Sequence, residues 1–139
     1  MVVVTVLVHF WGLMLLTYVL RGGATHVRPH ENPTRASVLI LMSVLGIFAV
    51  HTVEIWLYAG LYLVLGELHV FEQALYFSTT AFAAIGFGDV VLSPRWRMLG
   101  AIESANGVIL FAWSTTFLMT LTRRVRFLEH EWFDPKAEA

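Results

Sequence analysis

The chain has no cysteine and few charged residues. Of its 139 residues, 14% are charged and 58% are hydrophobic, whereas an average soluble domain is about a quarter charged and about half apolar. The lack of cysteine excludes disulfides, thiolate metal sites and cysteine catalysis. Nine basic residues against ten acidic ones leave no basic excess for binding nucleic acid. Because a soluble fold of this size cannot bury so much apolar surface, the composition favours a single membrane domain.

Three apolar stretches are long enough to cross a bilayer, which takes about 20 helical residues. Residues 2–20 contain no charge, and residues 36–65 and 98–122 contain one acidic residue each, Glu54 and Glu103. The sequence therefore predicts three spanning helices. A cleaved signal peptide is the alternative for residues 2–20, but that stretch lacks the basic start of such a signal.

The arginines predict the orientation of the helices. Residues 21–35 read as a loop with three arginines, and the tail at residues 123–139 begins with Arg123 and Arg124. Positively charged loops stay on the cytoplasmic side. We expect both segments inside and the N-terminus outside, in the cell membrane, so the connection between the second and third spans faces outward.

That outward connection is too long and too apolar for a simple loop. Residues 71–82 read as a short helix, which reaches only about 18 Å and cannot cross. In residues 83–89, Gly86 and Gly88 alternate with larger residues, and such a segment can run extended with its carbonyls aimed in one direction. Non-helical backbone survives at membrane depth only against protein or a water-filled cavity. Several copies of the chain around an axis would satisfy this demand.

This order of elements resembles the pore of the potassium-channel family. The residues Ala74-Leu75-Tyr76-Phe77-Ser78 and Ala84-Ile85-Gly86-Phe87-Gly88-Asp89 resemble its pore helix and its Thr-Val-Gly-Tyr-Gly-Asp filter, and the likeness extends from about Glu67 to Arg124. It implies an all-α membrane protein with three transmembrane helices, a re-entrant pore helix (71–82) and an extended selectivity filter (83–89). Each chain supplies one pore element, so a homotetramer is expected. The span at 2–20 becomes a peripheral helix, 36–65 the outer helix and 98–122 the inner helix.

The resemblance implies a passive cation channel that conducts potassium, not an enzyme. It implies no cofactor beyond the permeant ion, and no partner beyond the bilayer and identical subunits: neither nucleic acid nor a soluble substrate. A weakly selective or non-selective monovalent cation channel is the alternative on the same fold. Two other classes are a non-conducting accessory subunit and a membrane cofactor or metal protein that uses His9, His51 and Glu54.

The family pattern also assigns the filter residues. The filter would comprise Ala84, Ile85, Gly86, Phe87 and Gly88, and the carbonyls of the first four would bind K⁺ or Na⁺. Ala84 stands where the family usually has a threonine whose hydroxyl completes the innermost ion site. Ala83 also replaces a common threonine, and Phe87 replaces a tyrosine. The two alanines are the reason for the alternative of a weakly selective or non-selective channel.

Four residues are expected to support the filter: Tyr76, Thr80, Asp89 and Glu103. The family's aspartate bonds to an aromatic residue of the pore helix, here the phenol of Tyr76. Thr80 stands where some members have a carboxylate. Glu103 is an acidic residue inside a span, where translocon scales assign a cost of about 2.5–3.5 kcal/mol. Its partner could be a hydroxyl, or His51 or Glu54, and its role a hydrogen-bonded strut, a pH-sensitive gate or a metal ligand.

The inner helix contributes a candidate hinge and a candidate vestibule. Gly107 permits either a bend or close helix packing. Phe111, Thr115 and Met119 follow at four-residue intervals and therefore share one face of the helix. In the family this face lines the water-filled vestibule; a lipid-facing or packing stripe is the alternative.

Overall fold

The computed structural model describes residues 1–24 and 33–125. It contains four helices: α1 (Val2–Ala24), α2 (Pro33–Val64), α3 (Phe71–Phe82) and α4 (Arg97–Val125). Three of them, α1, α2 and α4, are long and apolar enough to cross a membrane, and no strand occurs among the described residues. The protein is thus an all-α membrane protein over the part that the structure describes. Residues 25–32 of the predicted cytoplasmic loop and 126–139 of the predicted tail lie outside it.

The two helices that flank the predicted cytoplasmic loop extend into it. Residues 21–24, including Gly22 and Gly23, belong to α1, and α2 begins at Pro33, so the helices include both ends of the segment predicted as a loop at residues 21–35. In apolar surroundings every backbone N–H and C=O group needs a hydrogen-bond partner. A helix supplies these partners within itself, and this favours the helix even at glycine residues. Proline at the first helical position of α2 has no amide hydrogen to leave unsatisfied.

Helix α1 packs closely against α2 through two glycines. A Cβ added at Gly12 would lie 2.6 Å from Cγ2 of Val50, and one added at Gly46 would lie 2.5 Å from Cδ1 of Leu16. Glycine at such positions lets two helix backbones approach closely. Helix α1 also reaches α4, where the amide of Asn106 donates to the Thr5 hydroxyl at 2.8 Å. The first helix therefore contacts both of the other long helices.

The connection between α2 and α4 begins at a glycine cap. Gly66 has a φ of +68°, its amide donates to the carbonyl of Leu63 at 3.0 Å, and the Glu67 amide donates to that of Tyr62 at 3.1 Å. This pair of bonds is a Schellman motif, which ends α2. The Glu67 carboxylate then accepts from the amide and hydroxyl of Ser93. The start of the connection is thereby tied to the segment that follows residues 83–89, the predicted filter, which we call the filter segment.

Helix α3 lies between α2 and α4, with contacts to both. Its buried residues are Ala74, Ser78, Thr80, Ala81 and Phe82. Glu72 lies in the first turn, where a negative charge is favourable beside the helix dipole. The helix ends where Ala84 adopts a φ of +55°. Helix α3 thus holds the filter segment against the two long helices on either side.

Candidate functional site

The filter segment, residues 83–89, has an alternating backbone. Ala84, Gly86 and Gly88 have φ values of +55°, +57° and +81°, and the residues between them do not have positive φ. Two of the three positions are glycines, which adopt such angles freely. Ala84 is the only non-glycine residue with positive φ in the described part of the chain, so its backbone is strained by its own Cβ.

The amides of the filter segment turn toward α3. The Thr80 carbonyl accepts from the amides of Ile85 at 2.8 Å and Gly86 at 3.2 Å. Because the described peptide bonds are all trans, the carbonyl in each of these peptide units points opposite to its amide. The carbonyls of Ala84 and Ile85 therefore point away from α3. The C-terminal end of α3, which carries the negative pole of its dipole, also lies beside this segment.

Tyr76 and Asp89 meet beside the filter segment. The Tyr76 hydroxyl donates to Oδ2 of Asp89 at 2.7 Å. This hydrogen bond holds the pKa of Asp89 below its ordinary value and raises the pKa of Tyr76. The contact ties the end of the filter segment to the middle of α3. The Thr80 hydroxyl, in contrast, donates to the carbonyl of Phe77 at 3.0 Å within α3, so Thr80 reaches the filter segment through its backbone.

Glu103 is fully buried behind α3. Its carboxyl oxygens lie 2.5 Å from the Tyr62 hydroxyl and 2.5 Å from the Ser78 hydroxyl. We call Glu103, Tyr62 and Ser78 the Glu103 cluster; it joins α2, α3 and α4. Of the partners that the sequence left open, the structure selects hydroxyls, and His51 and Glu54 bond elsewhere. Tyr62 was not anticipated, although it follows Glu54 and Tyr58 at four-residue intervals on one face of α2.

The contacts of Ser78 indicate where the protons of the Glu103 cluster lie. Its hydroxyl is 2.9 Å from the Ile55 carbonyl and 2.5 Å from Glu103. A carbonyl cannot donate, so the single Ser78 proton is the one available for Ile55. The contact with Glu103 is then a hydrogen bond when the carboxyl itself carries a proton. A neutral carboxyl group fits both the contacts and the apolar surroundings.

Gly107 lies directly against the end of α3. A Cβ added there would lie 2.0 Å from the carbonyl oxygen of Phe82, a distance that only the absence of a side chain permits. The geometry supports the close-packing interpretation of this glycine. Helix α4 is thereby brought against the helix that carries the filter segment.

Comparison with known families adds one decisive finding. Residues 50–124 match the model of a family described as ion channel. The chain belongs to this ion-channel family. The match confirms the resemblance drawn from the sequence, and it runs from within α2 through α3 and the filter segment to the end of α4. No curated protein and no solved structure matches the chain.

The ion channel has a second buried polar cluster, which includes α1. Oε1 of Glu54 lies 2.9 Å from Nδ1 of His9, and Oε2 lies 2.7 Å from Nδ1 of His51. The Ser114 hydroxyl lies 3.0 Å from Nε2 of His51 and 3.4 Å from Nε2 of His9. We call these four residues the Glu54 cluster. Its members are all buried, and they form a closed circuit through α1, α2 and α4.

The spacing in the Glu54 cluster suits shared protons better than a metal ion. One ligand atom from each of His9, His51 and Glu54 lies within 4.8 Å of the others. Tetrahedral ligands about 2.0–2.1 Å from zinc are about 3.3 Å apart, whereas both nitrogen–oxygen distances here are 2.7–2.9 Å. Each carboxylate oxygen also faces a different imidazole. Ser114 was not anticipated, because a serine in an apolar helix carries no local signal of its partner.

The stripe predicted along the inner helix divides in the structure. The ring of Phe111 packs within the chain, 5.5 Å from the Phe82 ring and 4.6 Å from the His51 ring between centroids. Thr115 and Met119 are exposed, and the Thr115 hydroxyl donates to the Phe111 carbonyl at 2.8 Å. Phe111 thus links the end of α3 to the Glu54 cluster. Thr115 and Met119, the next two residues of the stripe, form an exposed part of the same face of α4.

Proposed function

We propose that this ion channel conducts potassium passively through a selectivity filter built by four identical chains. The observation that carries the proposal is the filter backbone: positive φ at Ala84, Gly86 and Gly88, with the amides of Ile85 and Gly86 bonded to Thr80. With this backbone, the carbonyls of Ala84 and Ile85 point away from α3, the helix that supports the segment. Carbonyls gathered around an axis replace the hydration shell of a cation without a chemical step.

The exposed surface of the filter segment favours further copies of the chain around it. Ile85 and Phe87 are 56% and 68% exposed in the single chain, although both are large and apolar. Beside them lies an open groove of about 430 Å³. Its lining includes Phe77, Gly86, Val91 and Leu92. A second copy of the chain with the same apolar segment matches this surface, and four copies close the ring of carbonyls.

The proposed orientation places the filter near the outer surface. Arg21 lies in the last turn of α1, and Arg123 lies near the end of α4. With both arginines on the cytoplasmic side of the cell membrane, α3 enters from outside as a re-entrant pore helix and returns through the filter segment. Exposed Thr115 and Met119 then lie on the cytoplasmic side of the filter, in the proposed vestibule.

A weakly selective monovalent cation channel is the second candidate, favoured by one observation. Ala84 has no hydroxyl to complete the innermost ion site, and Ala83 has none behind it. Affinity at that site then rests on backbone oxygens and water. Both candidates use the same carbonyls of Ala84, Ile85, Gly86 and Phe87, and they differ in how strongly potassium is preferred over sodium.

Ion flux from purified protein in liposomes tests the proposal. We expect cation flux into vesicles, and the reversal potential in mixed potassium and sodium separates the two candidates. Cross-linking in the membrane is expected to trap tetramers. Protein that is folded and inserted but carries no flux, or cross-links only to dimers, would contradict the proposal and favour an accessory role.

Replacement of Ala84 tests the missing hydroxyl. Threonine and valine have nearly the same shape, and both branched side chains meet the same strain at a φ of +55°. We expect Ala84→Thr to raise the preference for potassium relative to Ala84→Val, because only threonine adds an oxygen to the innermost site. Equal reversal potentials in the two variants would exclude the hydroxyl as the determinant.

A further inference from the structure

The Glu54 cluster has four contacts and, in its simplest charge state, too few protons to fill them. Each contact between two of its polar atoms is a hydrogen bond only if one proton lies between them. Ser114 brings its hydroxyl proton, and two neutral imidazoles bring one each, while an ionised carboxylate brings none. Three protons then serve four contacts. One contact is left with two lone pairs facing each other.

One additional proton from water completes the cluster. It converts His9 or His51 to an imidazolium, which donates from both of its nitrogens, so that all four contacts become hydrogen bonds. The positive charge also cancels the carboxylate charge of Glu54. Since Glu54 and His9 are fully buried in membrane-spanning helices, a cluster without net charge is strongly favoured there over an isolated carboxylate.

Among the residues that the structure describes, the rings packed on the cluster supply no competing charge. The aromatic rings packed on its two imidazoles are Trp113 and Phe111 of α4 and Phe82 of α3, and none of these titrates. The next titratable groups along the packed helices are Tyr58, one turn from Glu54 on α2, and Glu103 on α4, which is bonded to Tyr62 and Ser78. Helix α1 contributes His9 itself.

We propose that the Glu54 cluster is a proton-binding site that couples conduction to pH. The contact that changes with the proton lies at Ser114, where α4 is fastened to His51 at 3.0 Å and to His9 at 3.4 Å. When the proton is bound, Ser114 of α4 forms hydrogen bonds with both histidines. When the proton is released, one of these two hydrogen bonds is lost. His51 also packs on Phe82 at the end of α3, so the same site adjoins the element that carries the filter segment. The coupling to conduction rests on the proposed channel function.

Glu54→Gln is the variant designed to test this site. The glutamine oxygen accepts from one imidazole Nδ1, and its amide donates to the other, so neutral histidines fill all four contacts. We expect wild-type flux to change about fivefold or more between about pH 5 and about pH 9, a range that brackets the titration of imidazole. Glu54→Gln is expected to show the flux of acidic wild type at every pH.

His69→Asn is the matched control, since His69 is an exposed histidine just before α3. It is expected to keep the wild-type pH profile. Wild-type flux that does not vary with pH, a profile that persists in Glu54→Gln, or one that disappears in His69→Asn would each overturn the proposed coupling.

Nitrogen-15 NMR of histidine-labelled protein in bilayers tests the proton itself, independently of flux. We expect one histidinium at neutral pH whose N–H protons are protected from exchange, which titrates in a single step and is absent in Glu54→Gln. No protected histidinium would overturn the inference even if the channel conducts. A histidinium signal that is missing from the protein as purified and appears only after chelation would assign the site to a metal and overturn the proton assignment. A vesicle without flux at any pH refutes the channel function alone, because the spectrum still decides the proton site.

Discussion

Glu54 and Glu103 are both fully buried acidic residues on membrane-spanning helices, and they differ in their partners. Glu103 contacts two hydroxyl groups, those of Tyr62 and Ser78. Glu54 contacts the imidazoles of His9 and His51. Hydroxyl groups do not accept a proton near neutral pH, whereas imidazole does. In the Glu103 cluster only the carboxyl group itself can bind a proton near neutral pH, whereas in the proposed Glu54 site the carboxylate shares a proton with two imidazoles.

The difference in partners corresponds to a difference in place. The Glu103 cluster braces α3 against α2 and α4, where a change of shape would disturb the filter segment. The Glu54 cluster joins α1, α2 and α4 beyond the end of α3, where a change alters how firmly α4 is held. A rigid support beside the filter segment and a responsive contact farther along α4 suit the proposed channel, in which selectivity would stay constant while conduction responds to pH.

Gly107 separates the two clusters along α4, and its replacement should have the largest effect. In Gly107→Ala the new Cβ would lie 2.0 Å from the Phe82 carbonyl oxygen, and a backbone atom cannot rotate away. We expect α4 to move off α3, which opens both clusters and lowers the free energy of unfolding by about 3 kcal/mol or more. Thermal unfolding in detergent measures this loss.

Gly60→Ala is the control for Gly107→Ala, because a Cβ at Gly60 meets nothing within 4 Å. Alanine is favoured over glycine inside a helix by about 0.5–1 kcal/mol, so a small gain is expected. Equal losses in the two variants would show that α2 and α4 respond to any added methyl group, and the close approach at Phe82 would lose its importance.

Substitutions of Glu103 test whether this residue supports the fold as a neutral group or as a charged one. In Glu103→Ala the buried Tyr62 hydroxyl loses its acceptor, which costs about 1–3 kcal/mol. In Glu103→Gln the amide group donates to Ser78 and its oxygen accepts from Tyr62, so stability within about 1 kcal/mol of wild type and an unchanged pH profile of flux are expected. Unfolding of the two variants side by side measures the contrast. If glutamine is as harmful as alanine, Glu103 acts as a charge and the difference from Glu54 disappears.

Parts of this architecture follow from sequence, and parts do not. The hydropathy of α1, α2 and α4 predicts three spans, because lipid requires long apolar helices with internal hydrogen bonds. The resemblance to the pore family predicts the contact of Tyr76 with Asp89, since both residues lie within one short motif. The Glu54 cluster joins His9 to Ser114 across 105 positions. Its fourth member depends on how α1 packs against α4, for which no local pattern exists.

Gly107 illustrates the same limit within a single helix. Its sequence context allows a bend or a close contact, and both need only a missing side chain. The choice depends on the position of the Phe82 carbonyl, which is set by the path of α3 between α2 and α4. Likewise, the acidic character of Glu103 predicts a buried partner, but the identity of Tyr62 depends on the rotation of α2 about its axis.

Tyr76→Phe should have the smallest effect on stability. It also provides a reference for the pH dependence of flux that is expected from the two clusters. The bond from Tyr76 lowers the pKa of Asp89 from 3.8, so it favours the folded form above that pH and is lost as the pH falls through the lowered value. It raises the pKa of Tyr76 from 10.0, so its contribution is present below that pH and is lost as the pH rises through the raised value. Between these limits its contribution is constant.

Tyr76→Phe is therefore expected to shift flux by the same factor at every pH from about 5 to about 9, as measured in liposomes beside Asp89→Asn. A change in the shape of the pH profile in either variant would mean that the filter segment itself senses protons, and the role assigned to Glu54 would have to be shared with it.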